Sequence, residues 1–370
     1  MKKILHISKF YHPYYGGIED VARTIINELT PHFEQKIICF NHEKGDVHNL
    51  NGVDVLRIGT HFSLGSQPIS FSYKWQLQKL IKSYKPDIIH LHLPNPLIAI
   101  YLLSCKLYGA KIIIHWHADI LGQKKFYAIY RPFEKKILAK SYKIIATSET
   151  YAKASIPLQP FLDKTSILPN VINEKKLELC PEEEVEIDKI RKKYDNKKII
   201  FFVGRHVPYK GIDYLIEAEK RITTDCVILI AGIGEQTLYL KELAKDRDRI
   251  RFIGRLSNTE LKHHLYASDV FAFPSINRSE AFGVALAEAL YCGLPAVSFK
   301  IEGSGVLWVN QNEKTGFVVE NKDVDEFAQA VSKILSSEEL RTEMSKNAKD
   351  WIKTNFMKEQ ILSIINKMYS

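Results

Sequence analysis

Apolar runs alternate with helical patterns along the whole chain. Several of these runs are unbroken stretches of aliphatic and β-branched residues, which is typical of parallel strands covered on both faces. A first series of strands is predicted at Ile4–Ile7, Gln35–Phe40, Val53–Ile58, Ile88–Leu91, Ile112–His115 and Ile144–Ala146. A second series is predicted at Ile199–Val203, Val227–Ala231, Ile250–Ile253, Val270–Phe273 and Ala296–Ser298. Because helical patterns separate many of these strands, the sequence predicts an α/β fold with two doubly wound units.

The boundary between the two units is predicted just after the first series of strands. The segment Leu168–Asn173 ends that series, and the acidic segment Pro181–Glu186 follows it. We therefore expect a first domain at residues 1–173 and a second domain at residues 174–354. A chain of 370 residues is long enough for two such domains, each with its own core.

The net charge of +9 is divided unevenly along the chain. The first 175 residues hold 23 of the 52 basic residues but only 13 of the 43 acidic ones. This asymmetry indicates an anionic partner for the first half, with nucleic acid and anionic lipid as the candidates. The apolar runs are too short for a signal peptide or a membrane span. The five cysteines are scattered without a C-x-x-C pair, so we expect neither disulfides nor a zinc site, and we expect a cytoplasmic protein.

Two glutamates, Glu280 and Glu288, bracket the start of a predicted helix. A polar loop precedes Glu280, and Gly283 between the two carboxylates allows a ligand to approach the backbone closely. The helix start offers free N–H groups to an anion, and the carboxylates accept hydrogen bonds from hydroxyls. The pattern therefore fits a ligand with both phosphate and sugar diols. The alternative is an ordinary amphipathic helix with two solvated glutamates.

A second candidate site is the loop that follows the strand Ile199–Val203. It carries Arg205 and Lys210, and ligands of open α/β sheets bind at the carboxyl ends of parallel strands. The guanidinium fork and the lysine point charge suit a diphosphate. The alternative is a pair of solvated surface cations.

Two glycine pairs also lie at predicted turns. Gly232 and Gly234 follow a strand, but Thr237 replaces the third glycine of a dinucleotide fingerprint, so we expect a ligand-facing turn and not an NAD site. Gly16 and Gly17 begin the first helix, where backbone amides reach a phosphate. A plain structural turn is the alternative for this second pair.

The segment His115–Asp119 contains two histidines and an aspartate after a strand. No third ligand with a clear spacing accompanies them in the sequence, which disfavours a metal site. We expect His117 to be a strand-end histidine that faces a cleft, with Asp119 nearby. A packed core histidine is the alternative for one of the two histidines.

Basic residues are interleaved with aromatic ones at 122–143 and again after Phe71. This mixture suits an anionic membrane surface. It also suits core-facing aromatics beneath solvated lysines. No recognisable nucleic-acid-binding module accompanies the charge, so we expect no nucleic-acid partner.

Together these motifs resemble the retaining glycosyltransferases of family 4, which have the GT-B architecture. The resemblance runs over nearly the whole chain and rests on Gly16-Gly17, Asp87–His92, His115–His117, Leu168–Asn170, Gly204–Gly211 and Glu280–Glu288. It is strongest to bacterial enzymes that build capsule, O-antigen or other surface polysaccharides. It implies two Rossmann-like domains that face a central cleft, with a C-terminal helix at about 355–370 that crosses back to the first domain. The linker departs from the family pattern, because the usual Pro-Asn-Gly is Pro169-Asn170-Val171 here.

The resemblance also implies roles for individual residues. Arg205 and Lys210 would hold the donor diphosphate, Glu288 the ribose, and Glu280 the hydroxyls of the donor sugar. His117 would lie beside the sugar. Further contacts with the donor would come from Gly16, Gly17, Gly232, Gly234, Arg255, Leu256, Phe282, Gly283 and Val284.

The implied reaction is transfer of a hexose from a nucleotide-diphosphate sugar to a hydroxyl, with retention of anomeric configuration and without a metal or other cofactor. The donor would be GDP-mannose or a UDP-hexose, and the acceptor a glycan or a lipid-diphosphate-linked oligosaccharide. The enzyme would then work in the cytoplasm or peripherally on the inner face of the plasma membrane. The alternatives are a sugar-nucleotide epimerase or hydrolase of the same fold and a non-catalytic nucleotide-sugar-binding protein.

Overall fold

The computed structural model describes residues 1–14, 16–64, 67–121, 124–357, 364–365 and 368–369. The chain divides into two units. Unit 1 comprises Met1–Val171 and Ile361–Ser370, and unit 2 comprises Ile172–Gln360. None of the helices within the described ranges is long and apolar enough to cross a membrane.

Unit 1 is built on an eight-stranded sheet. Its strands, with those of a separate two-stranded ribbon, are β1 Lys3–Ile7, β2 Glu34–Asn41, β3 Asp46–Leu50, β4 Val53–Gly59, β5 Phe62–Leu64, β6 Gln67–Ile69, β7 Ile88–Leu93, β8 Lys111–Trp116, β9 Lys143–Ala146 and β10 Thr165–Ile167. Its helices are α1 Gly17–Leu29, α2 Tyr73–Tyr84, α3 Pro96–Ser104, α4 Lys124–Lys140 and α5 Glu149–Ala154. The sheet order is β10-β9-β8-β7-β1-β2-β4-β3, and every pairing in it is parallel except β3 with β4. Strands β5 and β6 form the ribbon.

Unit 2 contains a wholly parallel six-stranded sheet. Its strands are β11 Lys198–Val203, β12 Cys226–Ala231, β13 Ile250–Gly254, β14 Val270–Phe273, β15 Ala296–Phe299 and β16 Gly316–Val319. Its helices are α6 Glu184–Lys193, α7 Ile212–Ala218, α8 Thr237–Leu243, α9 Asn258–Ala267, α10 Val284–Tyr291, α11 Val306–Val309, α12 Val324–Ser336 and α13 Glu338–Asn355. The order β13-β12-β11-β14-β15-β16 is that of a Rossmann sheet, with a reversal between β11 and β14.

Both series of expected strands are present, which confirms the α/β prediction of two Rossmann-like units. The same reversal of strand order occurs in unit 1 between β1 and β7. Loops at the carboxyl ends of strands beside such a reversal are where ligands bind in open α/β sheets. The loops beside the reversal of each unit are therefore candidate ligand-binding sites.

The C-terminal segment contributes to the core of unit 1. Helix α13 ends at Asn355, whereas Ile365, Met368 and Tyr369 are buried in a cluster with Ile4. The implied return of the C-terminal segment to the first unit is thus found. The hydroxyl of Tyr369 lies 2.7 Å from a ring nitrogen of a histidine on β7, which is described below.

Candidate active site

Two loops meet at the strand-order reversal of unit 2. One follows β11 and ends at Gly211, and the other follows β14 and leads into α10. The backbone N–H of Ile276 donates to the carbonyl of Tyr209 at 2.9 Å. Gly211 has a φ of +60°, and a Cβ there would lie 2.1 Å from the carbonyl oxygen of Pro274. A glycine is therefore required for the two loops to pack this closely.

Lys210 and Glu280 form a buried ion pair where these loops meet. Each residue is only 9% exposed, and the hydroxyl of Ser275 donates to the same carboxylate at 3.1 Å. Burial disfavours the charged form of Lys210, but the Glu280 carboxylate and Tyr209 together outweigh this effect, so the pKa of Lys210 is raised. The lysine thus stays cationic at neutral pH. Lys210 is therefore a buried cation, whereas the alternative interpretation of the sequence was a solvated surface cation.

The loop after β15 holds the backbone of Glu280 in place. The hydroxyl of Ser304 donates to the carbonyl of Glu280 and accepts a hydrogen bond from the N–H of Val306. The N–H of Gly305 donates to the carbonyl of Ala281 at 2.8 Å. Sequence reasoning missed this support. The available signal was the Gly-Ser-Gly run at 303–305, which comes soon after a predicted strand.

Helix α10 begins directly after Gly283, which has a φ of +92°. Glu280 lies in the preceding loop, and Glu288 is a partly exposed residue about one turn inside the helix. The ring of Phe282 is buried between aromatic side chains, with its centroid 5.4 Å from that of Phe356. The side chain of Phe282 therefore belongs to the core, which leaves its backbone as the part available to a ligand. Val284 is the first residue of the helix and is partly exposed.

Gly232 and Gly234 have a structural explanation that the sequence did not provide. A Cβ at Gly232 would lie 1.9 Å from the carbonyl oxygen of Gly204, and a Cβ at Gly234 would lie 2.4 Å from that of His206. The two glycines therefore let the loop after β12 pack against the loop after β11. Their predicted contact with a ligand stays a prediction.

His206 is a buried residue of the loop after β11. The sequence analysis did not select it as a site residue. Its Nδ1 atom lies 3.0 Å from the hydroxyl of Thr237, and its Nε2 atom has no hydrogen-bond partner in the described part of the chain. Burial lowers the pKa of His206. The imidazole is thus neutral and adjacent to Arg205, whose own side chain is exposed.

Arg255 and Leu256 follow β13, at the same end of the sheet as the loops after β11 and β14. Arg255 is exposed, whereas Leu256 is partly buried against the core. Gly254 has a φ of +76° just before them, and Ser257 caps α9 just after them. The structure thus places the predicted residues of unit 2 on loops at the carboxyl edge of one parallel sheet and, for Val284 and Glu288, in helix α10 that follows one of these loops.

In unit 1, Gly16 and Gly17 lie at the start of α1. Gly17 is exposed, and a Cβ there would meet no atom of the described residues within 4 Å. A Cβ at Gly16 would lie 2.4 Å from a carboxylate oxygen of Glu19. Glu19 and Asp20 also place acidic groups in the first turn, which opposes a phosphate at this helix end. The contacts of Gly16 and Gly17 with a donor stay predictions.

His117 directly follows β8 and packs among other histidines. It is buried, its Nε2 atom lies 2.9 Å from Nδ1 of His92, and its ring stacks on that of His115 with a centroid separation of 4.1 Å. Burial, followed by the neighbouring imidazoles, lowers the pKa of His117 well below its ordinary value. Asp119 instead accepts hydrogen bonds from Trp116 at 2.9 Å and from Ser155 at 2.6 Å. The place of His117 beside a sugar stays a prediction.

The neighbouring strands bring further histidines to this position. Buried imidazoles cluster on one face of the sheet beside the reversal between β1 and β7, and they belong to His6, His90, His92, His115 and His117. His90 and His92, like His115 and His117, are two residues apart in the sequence, but the sequence does not join the two pairs to each other or to His6. Two groups of three in this cluster have the spacing to hold a metal ion, namely His6, His90 and His92, and His92, His115 and His117.

Comparisons with known proteins cover both units. The model described as Glycosyltransferase Family 4 matches residues 15–176, and the one described as Glycosyl transferases group 1 matches residues 183–351. The chain is 26% identical over 377 aligned residues to the O-antigen chain mannosyltransferase C of Escherichia coli, covering 100% of this chain and 98% of that protein. It is 27% identical to the D-rhamnosyltransferase WbpZ of Pseudomonas aeruginosa, covering 94% and 90%. The crystal structure of Anabaena HepE in complex with UDP and glucose superimposes with a TM-score of 0.79 at 18% identity, covering 100% and 99% of the two chains.

Proposed function

The chain belongs to glycosyltransferase family 4, and we propose that it transfers a hexose from a nucleotide-diphosphate sugar to a hydroxyl during surface-polysaccharide synthesis. The bacterial relatives named for O-antigen mannose transfer and for rhamnose transfer support this role. We favour GDP-mannose as donor on the strength of the first relative. A UDP-hexose is the second candidate, because the HepE structure contains UDP and glucose. The acceptor we propose is a glycan or a lipid-diphosphate-linked oligosaccharide.

The observation that carries the proposal is the buried pair of Lys210 and Glu280 at the strand-order reversal of unit 2. Withdrawing an ion pair from water costs free energy unless good geometry and further hydrogen bonds compensate, so such a pair at a ligand-binding edge of the sheet indicates a functional role. Here the lysine is kept cationic beside a loop that also carries the exposed Arg205. A buried cation and an exposed one at the carboxyl edge of a parallel sheet suit a diphosphate.

In the proposed reaction, the bond between the anomeric carbon and the donor diphosphate breaks while the acceptor oxygen bonds to that carbon on the same face. The proton of the acceptor hydroxyl passes to an oxygen of the departing phosphate. Negative charge grows on that phosphate, and Lys210 and Arg205 stabilise it as preorganised cations. These cations supply the charge that a metal provides elsewhere, so we propose that the transfer step needs no metal.

Glu280 is assigned to binding and not to covalent catalysis. Paired carboxylates serve as nucleophiles in retaining glycosidases. The carboxylate of Glu280, however, is occupied by Lys210 and by the hydroxyl of Ser275. These contacts lower its nucleophilicity and orient it, which supports hydrogen bonding to sugar hydroxyls. Glu288, one turn inside α10, is assigned to the ribose hydroxyls.

The exposed aromatic residues of unit 1 support peripheral docking on an anionic membrane, where a lipid-linked acceptor lies. Phe71 and Trp75 are 75% and 65% exposed, and the ring of Phe71 lies 6.2 Å from that of the exposed Phe62. The ammonium of Lys79 lies 5.2 Å from the Trp75 ring. Exposed aromatics beside lysines favour the headgroup region of an anionic bilayer.

Proton NMR of the donor tests the proposed function. We expect the purified enzyme to consume GDP-mannose or a UDP-hexose only when a lipid-diphosphate-linked sugar is added, with a product of unchanged anomeric configuration. Release of free sugar without an acceptor would indicate a hydrolase, and a changed sugar in the nucleotide pool would indicate an epimerase. Donor binding without turnover against any such acceptor would indicate a non-catalytic binding protein.

A pair of variants tests the assigned residues in the same assay. Arg205→Ala should reduce transfer at least tenfold, because a lost hydrogen bond to a charged group costs about 1.5–3 kcal/mol. Lys346→Ala is the matched control, since Lys346 is an exposed cation on α13 of the same unit. Equal transfer by both variants would contradict the assignment of Arg205 to the donor site.

A further inference from the structure

The histidine cluster of unit 1 has no role in the proposed transfer beyond His117. His6, His90 and His92 are at most 1% exposed. One ring nitrogen from each lies within 4.8 Å of those of the other two. The ring centroids of His90 and His92 are 4.3 Å apart, and those of His6 and His90 are 5.1 Å apart.

The strand register explains why these rings converge. His6 on β1 is directly paired with His90 on β7. His92 lies two residues further along β7, and alternate residues of a strand point to the same face. The three imidazoles therefore share one face of the sheet at the reversal between β1 and β7.

Each of the three rings has one nitrogen that is hydrogen-bonded and one that is not. His6 Nε2 lies 2.7 Å from the side-chain oxygen of Gln35, and His90 Nδ1 lies 2.7 Å from the hydroxyl of Tyr369. His92 Nδ1 lies 2.9 Å from Nε2 of His117. The opposite nitrogens are His6 Nδ1, His90 Nε2 and His92 Nε2, and all three are buried without a partner among the described residues.

The protonation of His6 follows from its neighbour. The side-chain nitrogen of Gln35 donates to the carbonyl of Ile26 at 2.8 Å, which fixes the amide so that its oxygen faces His6. An amide oxygen only accepts, so the proton of His6 lies on Nε2 and a lone pair lies on Nδ1. The hydrogen bonds of His90 and His92 are consistent with a proton on Nδ1 of each ring. This assignment leaves a lone pair on Nε2 of each ring, which has no partner among the residues that the structure describes.

This arrangement matches the ligand set of a metal centre. Metal-bound histidines use one ring nitrogen for the ion and donate the other N–H to an oxygen or nitrogen that fixes the ring. Burial keeps the imidazole of His6 neutral by lowering its pKa to about 4, and a metal binds the neutral form. A buried polar atom without a partner is costly, and each of these nitrogens that binds an ion gains a partner.

We propose that His6, His90 and His92 form a binding site for a divalent transition-metal ion of the zinc type in the core of unit 1. Imidazole ligands suit Zn²⁺, and three histidines leave one exchangeable position on the ion. A Zn–N bond of about 2.0–2.1 Å places the ligand nitrogens about 3.4 Å apart, so the rings rotate towards the ion on binding. The ion holds β1 and β7 together and takes no part in sugar transfer.

The test begins with the full-length enzyme after chelator treatment and desalting. On titration with Zn²⁺ or Co²⁺, we expect one ion per chain by elemental analysis. We also expect the melting temperature to rise by about 5 °C or more at a free ion concentration one hundred times the Kd. Uptake below a tenth of an ion per chain, with no change in melting temperature, would overturn the proposal without any variant.

Matched histidine variants locate the bound ion. His6→Gln and His90→Gln should each abolish the uptake of that ion, whereas His32→Gln should retain it, because His32 is an exposed histidine of the same unit. Circular dichroism checks that each variant is folded. Equal uptake by all three variants would place the ion elsewhere and would contradict the assignment.

Discussion

The pairing of Lys210 with Glu280 leads to a stability prediction in the form of a double-mutant cycle. Both residues are 9% exposed, and removing one partner of a buried pair leaves an uncompensated charge that costs about 3–5 kcal/mol. Lys210→Met and Glu280→Gln should therefore each lower the free energy of unfolding of unit 2 by about 3 kcal/mol. For a unit of this size, that change corresponds to a fall in melting temperature of roughly 6–12 °C.

The double variant should be far less destabilised than the sum of the two single variants. With both charges removed, neither is left unpaired in the core, so the coupling energy should be about 3 kcal/mol. Calorimetry on the full-length chain measures all three variants, and Lys346→Met serves as the exposed control. Strictly additive effects, or single variants that melt like the wild type, would refute the buried ion pair.

Three further predictions follow from other contacts. Gly211→Ala should impair both stability and transfer, because its Cβ would lie 2.1 Å from the carbonyl oxygen of Pro274 at a φ of +60°; a variant with wild-type melting and activity would contradict this packing. Burial raises the pKa of Glu134 to about 7, against an ordinary value of 4.5, so the folded state binds the extra proton and stability falls as the pH rises from 4.5 towards 7. Glu134→Gln should therefore stabilise unit 1 by about 2–3 kcal/mol at pH 7.5 and have no effect near pH 4.5. A difference in melting temperature between this variant and the wild type that does not change with pH would contradict the prediction. Trp75→Ser should weaken co-sedimentation with anionic vesicles, whereas Tyr239→Ser, an exposed aromatic of unit 2, should not; equal binding to neutral and anionic vesicles would contradict membrane docking.

The apolar runs were sufficient to predict most of the sheet. Buried strands such as Ile199–Val203 are continuous in hydrophobicity, so they can be recognised from the local sequence. The strands that were missed include Gly316–Val319, which is apolar and four residues long, and several short or exposed strands. Asp46–Leu50 is a largely polar edge strand that pairs with its neighbour through the backbone, and all three residues of Phe62–Leu64 are exposed. Hydrophobic periodicity carries no signal for such strands.

The candidate site was predictable in its parts but not in its contacts. Glu280 and Lys210 are 70 positions apart, and only the order of strands in the sheet brings their loops together. Sequence spacing selected each residue for its chemistry but contained no information on their pairing. The same reasoning explains why a turn at Gly232 was linked to a ligand when its tight contact is with the backbone of Gly204.

The histidine cluster shows the same limit in unit 1. His115 and His117 are close in sequence, whereas His6 and His90 become neighbours only through the register of β1 with β7. The sequence analysis weighed only His115 and His117 as metal ligands, whereas the folded sheet brings five histidines together. Parallel strands separate their neighbours by a whole helical crossover, which places the ligands of one site far apart in the sequence.

Isothermal titration with GDP and UDP tests most directly whether the loops at the reversal of unit 2 bind a nucleoside diphosphate. The wild-type chain should bind one of the two nucleotides, and Arg205→Met should weaken that binding at least tenfold, because Arg205 is exposed and its loss leaves the fold intact. Lys346→Met should bind like the wild type. Equal affinity of both variants, or binding of neither nucleotide by the wild type, would contradict the proposed donor site.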